Sequence, residues 1–319
     1  MKKVLALILA LVMSLSLVAC GGGDGSSAKL RFVTGGESGT YYAFGSVIAQ
    51  HATNNAGINV VGLVGNGSQA NIEELQAGNA DLAFCQSDVM AYAYEGTNIF
   101  DAKVDCFSTV AALYTEQVQI VTVDPSIKTV ADLKGKNVSI GAAGSGVFFN
   151  AVDILGAYGL DVEKDINPTY QSFGDSADAL KDGKIDAAFI VAGAPTTAIT
   201  DLATTKAVSL VSLDDEHIDK LLASSPYYTK CTIPADVYGL DADTTTVGVG
   251  AVILARDDVS EDAIYALCAD IFDNAANLVS SHAKYGELSL EYAASITSVP
   301  YHAGAVKYFA EHNMTVAGK

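Results

Sequence analysis

The sequence predicts an α/β fold of two lobes, with two crossings of the chain between them and a ligand cleft where the lobes meet. Three observations predict it. Strand-like and helix-like segments alternate along most of the chain, two sequence blocks recur in the same order, and extended segments separate the recurring parts. Short apolar runs flanked by helices are typical of parallel strands covered on both faces. A chain of 319 residues, half of them hydrophobic, is long enough for two domains with sizeable cores.

The first twenty residues have the pattern of an export signal. Lys2 and Lys3 precede an apolar run at residues 4–12, and Leu-Val-Ala-Cys closes the segment at Cys20. The run is too short for a membrane span. Its ending resembles the bacterial lipobox, which implies cleavage before Cys20 and lipidation of the thiol. We therefore expect a signal peptide at residues 1–19, followed by the lipidated cysteine and a flexible Gly/Ser-rich tether at residues 20–28.

This reading places the mature protein outside the cytoplasm, anchored by lipid to the outer face of the bacterial cell membrane or lying in the periplasm. The net charge of −19 argues against a nucleic-acid partner, because phosphate binding needs a basic surface. Arg31 and Arg256 are the only arginines in the sequence. An anionic ligand would therefore be held mainly by backbone N–H, hydroxyl and amide groups, with one arginine as a possible addition.

The elements follow one another in a regular order. Predicted strands cover residues 30–33, 58–64, 80–85, 108–114, 118–123, 137–140, 168–172, 187–191 and 207–211. The helical patterns between them include residues 42–52, 68–77, 145–158, 176–181 and 195–203. A last strand at residues 246–255 precedes a long helix at residues 260–281 and further C-terminal helices.

Two blocks of sequence recur. SGTYYA at residues 38–43 corresponds to SGVFFN at residues 145–150, and each follows a short strand. ELQAGNADLAF at residues 74–84 corresponds to ALKDGKIDAAF at residues 179–189. In the second pair a helix ends at glycine, Asp opens the next segment and Ala-Phe enters the core. Blocks that recur in the same order predict two α/β lobes of related topology.

The segments between the recurring blocks predict the division into lobes. We expect lobe 1 to comprise residues 29–117 plus 246–319, and lobe 2 to comprise residues 118–245. The strand-like segments at residues 108–123 and 246–255 would then carry the chain out of lobe 1 and back. In open α/β sheets ligands bind beyond the carboxyl ends of the strands, which is where both glycine turns would lie. Free N–H groups at the helix starts there favour negative charge.

Several motifs taken together resemble one family. They are GGESGTYY at residues 35–42, NGS at 66–68, QSD at 86–88, LYTE at 113–116, GSG at 144–146 with Asn150, AGAPT at 192–196 and PYHAGA at 300–305. This set resembles the TAXI-type solute-binding receptors of TRAP (tripartite ATP-independent periplasmic) transporters, over residues 29–311. The chain departs from the commoner pattern by having Glu37 in the first glycine turn and by lacking arginine in lobe 2.

The resemblance implies a periplasmic-binding-protein type II fold whose lobes close on a small solute. It also implies delivery to a TRAP permease driven by an ion gradient, with a solute such as glutamate, glutamine or another small carboxylate or 2-oxoacid. The alternative interpretation is a receptor of the same fold for an ABC importer, with an aromatic or sulfonate solute. A secreted enzyme and a surface interaction protein are further alternatives.

The candidate solute contacts come from these motifs. They are Gly39, Thr40, Tyr41, Asn66, Ser68, Gln86, Ser87, Glu116, Ser145, Gly146, Val147, Asn150, Gly193 and Thr196. Ser68 is expected to be a helix N-cap with or without solute contact. Glu116 is expected either to accept from an amine or to brace the hinge. Pro195 is placed near the first position of a helix.

No catalytic, cofactor or metal motif is present in the sequence. The five histidines have no metal-ligand spacing, and there is no nucleophile elbow, Walker lysine or dinucleotide fingerprint. We therefore predict a binding protein without enzyme activity, cofactor or metal. Cys85 and Cys268 lie in apolar strand and helix patterns, and we expect them to be buried free thiols, whereas the pairing of Cys106 and Cys231 stays open.

Overall fold

The structure, a computed structural model, describes residues 29–319. The predicted signal peptide, the lipidated Cys20 and the tether lie outside the described residues. Among residues 29–319 no helix has both the length and the apolar character needed to cross a membrane.

The described residues form ten strands in one continuous mixed sheet, in which each outer part is parallel and the central strands are antiparallel. The strands are β1 (Lys29–Val33), β2 (Asn59–Leu63), β3 (Leu82–Gln86), β4 (Phe107–Thr122), β5 (Asn137–Ser139), β6 (Asn167–Thr169), β7 (Ala187–Ala192), β8 (Ser209–Leu210), β9 (Thr229–Ile233) and β10 (Thr244–Arg256). Their order is β2-β1-β3-β10-β4-β7-β5-β6, with β8 paired to β4 and β9 paired to β10.

Helices cover the sheet. Within residues 29–319 they are α1 (Thr40–Asn55), α2 (Ser68–Gln76), α3 (Ser87–Glu95), α4 (Val147–Ala157), α5 (Phe173–Lys181), α6 (Thr197–Ala203), α7 (Asp215–Ser224), α8 (Glu261–Asp273), α9 (Ala275–Leu278), α10 (Leu290–Ala293) and α11 (Ala303–Glu311). Short 3₁₀ helices span Val130–Leu133, Ala235–Val237 and Ala283–Glu287.

The predicted sequence repeat is confirmed as a structural repeat. β1-α1-β2-α2-β3 and β5-α4-β6-α5-β7 have the same topology, because β1 lies parallel between β2 and β3 just as β5 lies parallel between β6 and β7. We call them the first and second βαβαβ units. The repeated aspartates have equivalent contacts, since Asp81 accepts from the backbone N–H of Arg31 and Asp186 from that of Asn137, both at 2.8 Å.

Two long antiparallel strands, β4 and β10, connect the units. They pair from Phe107 with Arg256 to Gln117 with Gly248. β10 pairs with β3 of the first unit through Ala251 to Ala255, whereas β4 pairs with β7 of the second unit only from Gln117 onwards. The prediction of two separate strands at residues 108–114 and 118–123 was therefore wrong. The polar residues between these two stretches remain part of β4 because β10 pairs with them. Other parts of the fold supply partners for their side chains.

The buried side chains fall into clusters on the faces of the two units. One cluster packs α1, α8 and α11 on the first unit around Phe44 and Phe309. Another packs α4 and α7 on the second unit around Phe189. Phe149 of α4 joins a cluster with the side chains of α2, α3 and β3, so the second unit is in contact with the first. The lobe boundaries predicted above stay a prediction.

Several helix boundaries differ from those predicted, and three of the differences have a clear physical reason. The long helix expected at residues 260–281 ends at Asp273, where the Asn274 side chain donates to the Asp270 carbonyl and the Asn274 backbone, at φ −99° and ψ −1°, departs from ideal helix geometry. α6 begins at Thr197, two residues after Pro195. The N-cap of α2 is Gly67 and not Ser68, whose hydroxyl instead accepts from the N–H of Gln86 at 3.0 Å.

Candidate functional site

A cavity of about 470 Å³ lies between the two βαβαβ units. Its walls are the segments that follow β1, β2, β5 and β6, together with the last residues of β3 and β7. It therefore lies beyond the carboxyl ends of six strands, as ligand sites in open α/β sheets do. Its lining is Gly35, Gly36, Glu37, Ser38, Gly39, Thr40, Tyr41, Val64, Gly65, Asn66, Gly67, Ser68, Gln86, Glu116, Ala142, Ser145, Gly146, Val147, Ser172, Phe173, Gly174, Asp175, Asp178, Val191 and Ala192.

Most of the sequence-predicted contacts reach this cavity. Those in its lining are Gly39, Thr40, Tyr41, Asn66, Ser68, Gln86, Glu116, Ser145, Gly146 and Val147. The structure does not bring Ser87, Asn150, Gly193 and Thr196 into the lining. That any of these residues touches a solute stays a prediction.

The first glycine turn, residues 35–41, orients Tyr41 at the cavity wall. Gly39 is the N-cap of α1, so the helix begins at Thr40 with its first N–H groups free of helical partners. The ring of Tyr41 stacks on Phe84, with 4.5 Å between centroids and 8° between planes. Its hydroxyl donates to Oε2 of Glu116 at 3.0 Å. Packing and a hydrogen bond thus fix this side chain in one position.

The two units touch around the cavity. Backbone N–H groups donate across it from Ala70 to the Gly144 carbonyl at 3.0 Å and from Ala198 to the Ser38 carbonyl at 3.2 Å. The hydroxyl of Thr40 donates to the carbonyl of Gly193 at 2.8 Å. The described conformation is therefore a closed one.

Glu116 lies in β4 at the point where the strand passes from one unit to the other, opposite Val249 of β10. It is only 2% exposed. Burial, and to a smaller extent the charge of Asp88, raise the pKa of Glu116 well above its usual value, while hydrogen bonding to Tyr41 acts in the opposite direction. Ionisation of this buried carboxyl group is costly, and the charge of Lys284 opposes that cost only in part.

Behind the cavity wall, a chain of polar side chains crosses between the units. Gln86 donates from Nε2 to Oδ1 of Asn150 at 3.1 Å. Asn150 in turn donates from Nδ2 to Oδ2 of Asp88 at 3.0 Å and to the Tyr228 hydroxyl at 2.9 Å. Burial raises the pKa of Asp88 to about 7, and the charge of Asp153 adds to this. Asn150 is thus occupied by protein partners, which explains why it does not point into the cavity.

The other three predicted residues outside the lining have internal partners as well. The hydroxyl of Ser87 accepts from the N–H of Gly250 at 2.9 Å. Thr196 donates from its N–H to the Tyr238 hydroxyl and accepts at Oγ1 from Gln119. The carbonyl of Gly193 accepts from Thr40. These residues support the walls of the cavity.

The charged groups in the lining are all acidic: Glu37, Glu116, Asp175 and Asp178. No arginine contributes to it, because both arginines bind Asp81 at the opposite ends of the strands. Arg31 donates to Asp81 from Nε and Nη2 at 2.8 Å each, and Nη2 of Arg256 lies 3.3 Å from Asp81. The expectation that one arginine could assist an anionic ligand is therefore wrong for this cavity.

Sequence reasoning missed the wall formed by Ser172, Phe173, Gly174, Asp175 and Asp178. Ser172 caps α5, its hydroxyl accepting from the N–H of Asp175 at 3.2 Å. A signal for this wall was present, because it begins at the last residue of the predicted strand 168–172, and both glycine turns likewise lie at the ends of predicted strands.

Metal-binding groups and disulfides are the other features to consider within residues 29–319. The described residues contain no group of three His, Cys, Asp or Glu side chains placed to hold a metal ion. Cys85, Cys106, Cys231 and Cys268 are free thiols, with Cys85 and Cys268 buried as expected.

The architecture is that of the type II periplasmic binding proteins, a class of fold with two α/β lobes. The chain belongs to the NMT1-like family, which it matches over residues 32–312.

Three solved structures with this fold are similar to the chain. A protein of Bordetella bronchiseptica RB50 is 18% identical, with a TM-score of 0.52 and 89% of each chain covered. PhnD1 from Prochlorococcus marinus (MIT 9301), solved in complex with methylphosphonate, is 10% identical, with a TM-score of 0.51 and coverage of 83% of this chain and 89% of that one. A putative L-cystine ABC transporter protein from Listeria monocytogenes is 15% identical, with a TM-score of 0.50 and coverage of 85% and 99%.

Proposed function

We propose that the chain is an extracytoplasmic receptor that binds one small solute between its lobes and delivers it to a membrane importer. The observation that carries this proposal is the cavity of about 470 Å³ enclosed by strand ends of both βαβαβ units. Such a volume suits a small metabolite, and closure of two domains around a ligand is a recurrent way of binding one. The absence of any catalytic motif in the sequence is in keeping with this role.

A panel of amino acids, small carboxylates, sulfonates and phosphonates tests the proposal. Calorimetry is the suitable method because the chain has no tryptophan. A solute at 100 times its Kd stabilises the folded state by about 2.7 kcal/mol, which raises the Tm by several degrees. Turnover of a bound solute into a product would contradict a pure receptor role.

The kind of importer has two candidate answers. The similar solved structures include a putative L-cystine ABC transporter protein and PhnD1 in complex with methylphosphonate, which favours an ABC importer. The sequence motifs resemble TAXI receptors, which favours a TRAP permease driven by an ion gradient. We take the ABC importer as the leading proposal. Cross-linking in cells distinguishes them, because an ATPase subunit would co-purify with an ABC importer and not with a TRAP permease.

The membrane anchor is part of the same proposal. Labelling of cells with a fatty-acid analogue is expected to mark the wild-type chain and not the Cys20→Ser variant. Equal labelling of both would contradict lipidation at Cys20. Release of Cys20→Ser from the membrane fraction is the matching expectation for location.

A further inference from the structure

We propose that the solute carries a protonated amine and that Glu116 is the residue that binds it. This inference rests on the proposed function, since it concerns the solute of the same cavity. It narrows the expected solutes from carboxylates in general to those with an amine, such as amino acids or simple amines.

The first argument is the charge of the cavity. Its lining holds four carboxyl groups and neither lysine nor arginine, while Lys184 lines the adjoining cavity that shares Asp175 and Asp178 with it. Arg31 would have to break two hydrogen bonds of 2.8 Å to Asp81 to reach the lining, and Arg256 is held by Asp258 and Asp81. An anion without a compensating amine would enter a field of like charge, whereas a cation would be attracted.

The second argument is that Glu116 has no free cation beside it. The titratable groups that act on it from the surrounding elements are Tyr41, Cys85, Asp88, Tyr114, Lys284 and Tyr292. Lys284 is the cation among them, and it is already occupied. It is 3% exposed, pairs with Glu287, donates to the Ala194 carbonyl at 2.9 Å and lies over the Tyr114 ring.

The third argument is an unused acceptor beside Glu116. Gln86 is 2% exposed, and its Oε1 has no donor among the described residues. The polar chain fixes this orientation of the amide. Tyr228 donates to Asp153 and therefore accepts from Asn150 Nδ2, so Asn150 presents Oδ1 to Gln86 Nε2. Gln86 is left with an acceptor that faces Gly146 and is covered by protein in the described closed conformation. An amine supplies several N–H donors for these acceptors.

The experiment compares solutes that differ only in the amine. Leucine with 4-methyl-2-oxopentanoate, glutamate with 2-oxoglutarate, and phenylalanine with phenylpyruvate are titrated calorimetrically into the full-length protein, with phenethylamine as an amine lacking a carboxylate. In whichever of these pairs binds, we expect the amino acid to bind at least about 30-fold more tightly than its oxoacid. This is the size of effect found when a buried charge pair loses one partner. Equal or tighter binding of the oxoacid overturns the inference.

The Glu116→Gln variant tests the residue. It is expected to weaken amine binding at least about 30-fold, while the surface variant Glu74→Gln leaves it unchanged. At pH values below the pKa of Glu116, the affinity of the wild type for the amine should increase about tenfold for each unit by which the pH is raised. A proton should be released on binding, because the amine binds the ionised carboxylate. Tightening as pH falls would instead show a carboxylate bound to protonated Glu116, and overturns the inference.

The solute that co-purifies with the protein separates the two proposals. It is released by denaturation, treated with an amine-reactive label and identified by mass spectrometry. A labelled small molecule supports both proposals. A released molecule without an amine overturns this inference and leaves the receptor function standing. No released molecule, together with no binder among the titrated compounds, contradicts the receptor function and this inference with it.

Discussion

Asp88 is a fully buried carboxyl group whose pKa burial raises to about 7. The folded protein therefore keeps a proton between about pH 4 and pH 7 that the unfolded chain releases. Because the folded state binds more protons in that window, Asp88 lowers stability as the pH rises through it. The loss is on the order of 1.4 kcal/mol per unit of pKa shift.

We expect Asp88→Asn to remove this part of the pH dependence. The variant should be close to the wild type in Tm near pH 4 and more stable than it near pH 8, because the amide never ionises. Scanning calorimetry across this range measures the difference. The exposed Asp101→Asn serves as the control and should follow the wild type at each pH. A wild-type-like slope for Asp88→Asn would show that Asp88 is ionised and accommodated throughout.

Gly146 is the residue at which the closed conformation has least space. A Cβ there would lie 1.8 Å from Oε1 of Gln86 and 2.9 Å from the Ser68 hydroxyl, both on the opposite wall. Gln86 would have to give up its bond to Asn150 to make room. We expect Gly146→Ala to weaken solute binding about tenfold or more while the separate folds stay intact.

Gly156 provides the matched control in the same helix, since a Cβ there meets no atom within 4 Å. Gly156→Ala should leave affinity unchanged and raise Tm slightly, because alanine favours the helix. Titration calorimetry and circular dichroism measure the two effects. Unaltered affinity of Gly146→Ala would mean that the cleft does not close to the described extent when solute binds.

At the scale of elements, Asp81 ties β1 to the segment before β3. Burial acts to raise the pKa of Asp81, but hydrogen bonds from the Arg31 side chain and backbone outweigh it and lower the pKa below the usual value. The ionised form therefore contributes stability that is present above about pH 4 and lost as the pH falls further. We expect Asp81→Asn to cost about 1–3 kcal/mol at neutral pH.

The repeated unit offers a matched comparison for this variant. Asp186 makes the same backbone contact to Asn137, at 2.8 Å, without an arginine. Asp186→Asn should therefore cost less, about 0.5–1.5 kcal/mol. Thermal unfolding at pH 7 compares the two. Equal losses would show that the arginines contribute nothing beyond the backbone hydrogen bond.

Much of this architecture could be predicted from the sequence at the level of elements. The repeat was visible because Gly78 and Gly183 occupy left-handed positions after equivalent helices, with φ of +72° and +70°. No bounds were predicted for α3, which follows β3 directly: Gln86 ends the strand and caps the helix, so no turn residues separate the two. β4 was divided in two because Glu116 is polar, and only the fold supplies the Tyr41 hydroxyl that accommodates it.

The candidate site was predictable only in part for the same reason. Strand ends locate the glycine turns, since backbone geometry alone places them. The partner of a long side chain depends on the tertiary structure. The sequence therefore could not show that Arg31 and Arg256 meet at Asp81, away from the cavity. Nor could it show that Asn150 turns to Asp88.

At the scale of the whole molecule, closure depends on few protein contacts. Shifting a population from 1:99 to 99:1 takes about 5.5 kcal/mol of differential binding. Hydrogen bonds across the cavity contribute about 0.5–1.5 kcal/mol each, so the solute must supply a substantial share. We expect small-angle X-ray scattering to show a smaller radius of gyration once a binding solute is added.

Thr40→Val removes one of these contacts, the bond to the Gly193 carbonyl, with little change in shape. The solute-free variant should scatter as a more open particle, and its solute affinity should fall by roughly 2- to 10-fold. Thr200→Val, which loses only a bond within α6, is the control and should behave as the wild type. Identical scattering of Thr40→Val and the wild type would show that this bond does not hold the units together.

The two connecting strands have a mechanical consequence. β4 and β10 are hydrogen-bonded to each other where they pass between the units, with Glu116 opposite Val249. A pair of bonded strands resists sliding and stretching but bends easily out of its plane. Opening should therefore be a bending of this strand pair, in which the two units rotate about one axis and the register between β4 and β10 is kept. The amide hydrogens at this bend are expected to exchange slowly in the open and closed forms alike, while those of the cavity walls respond to solute.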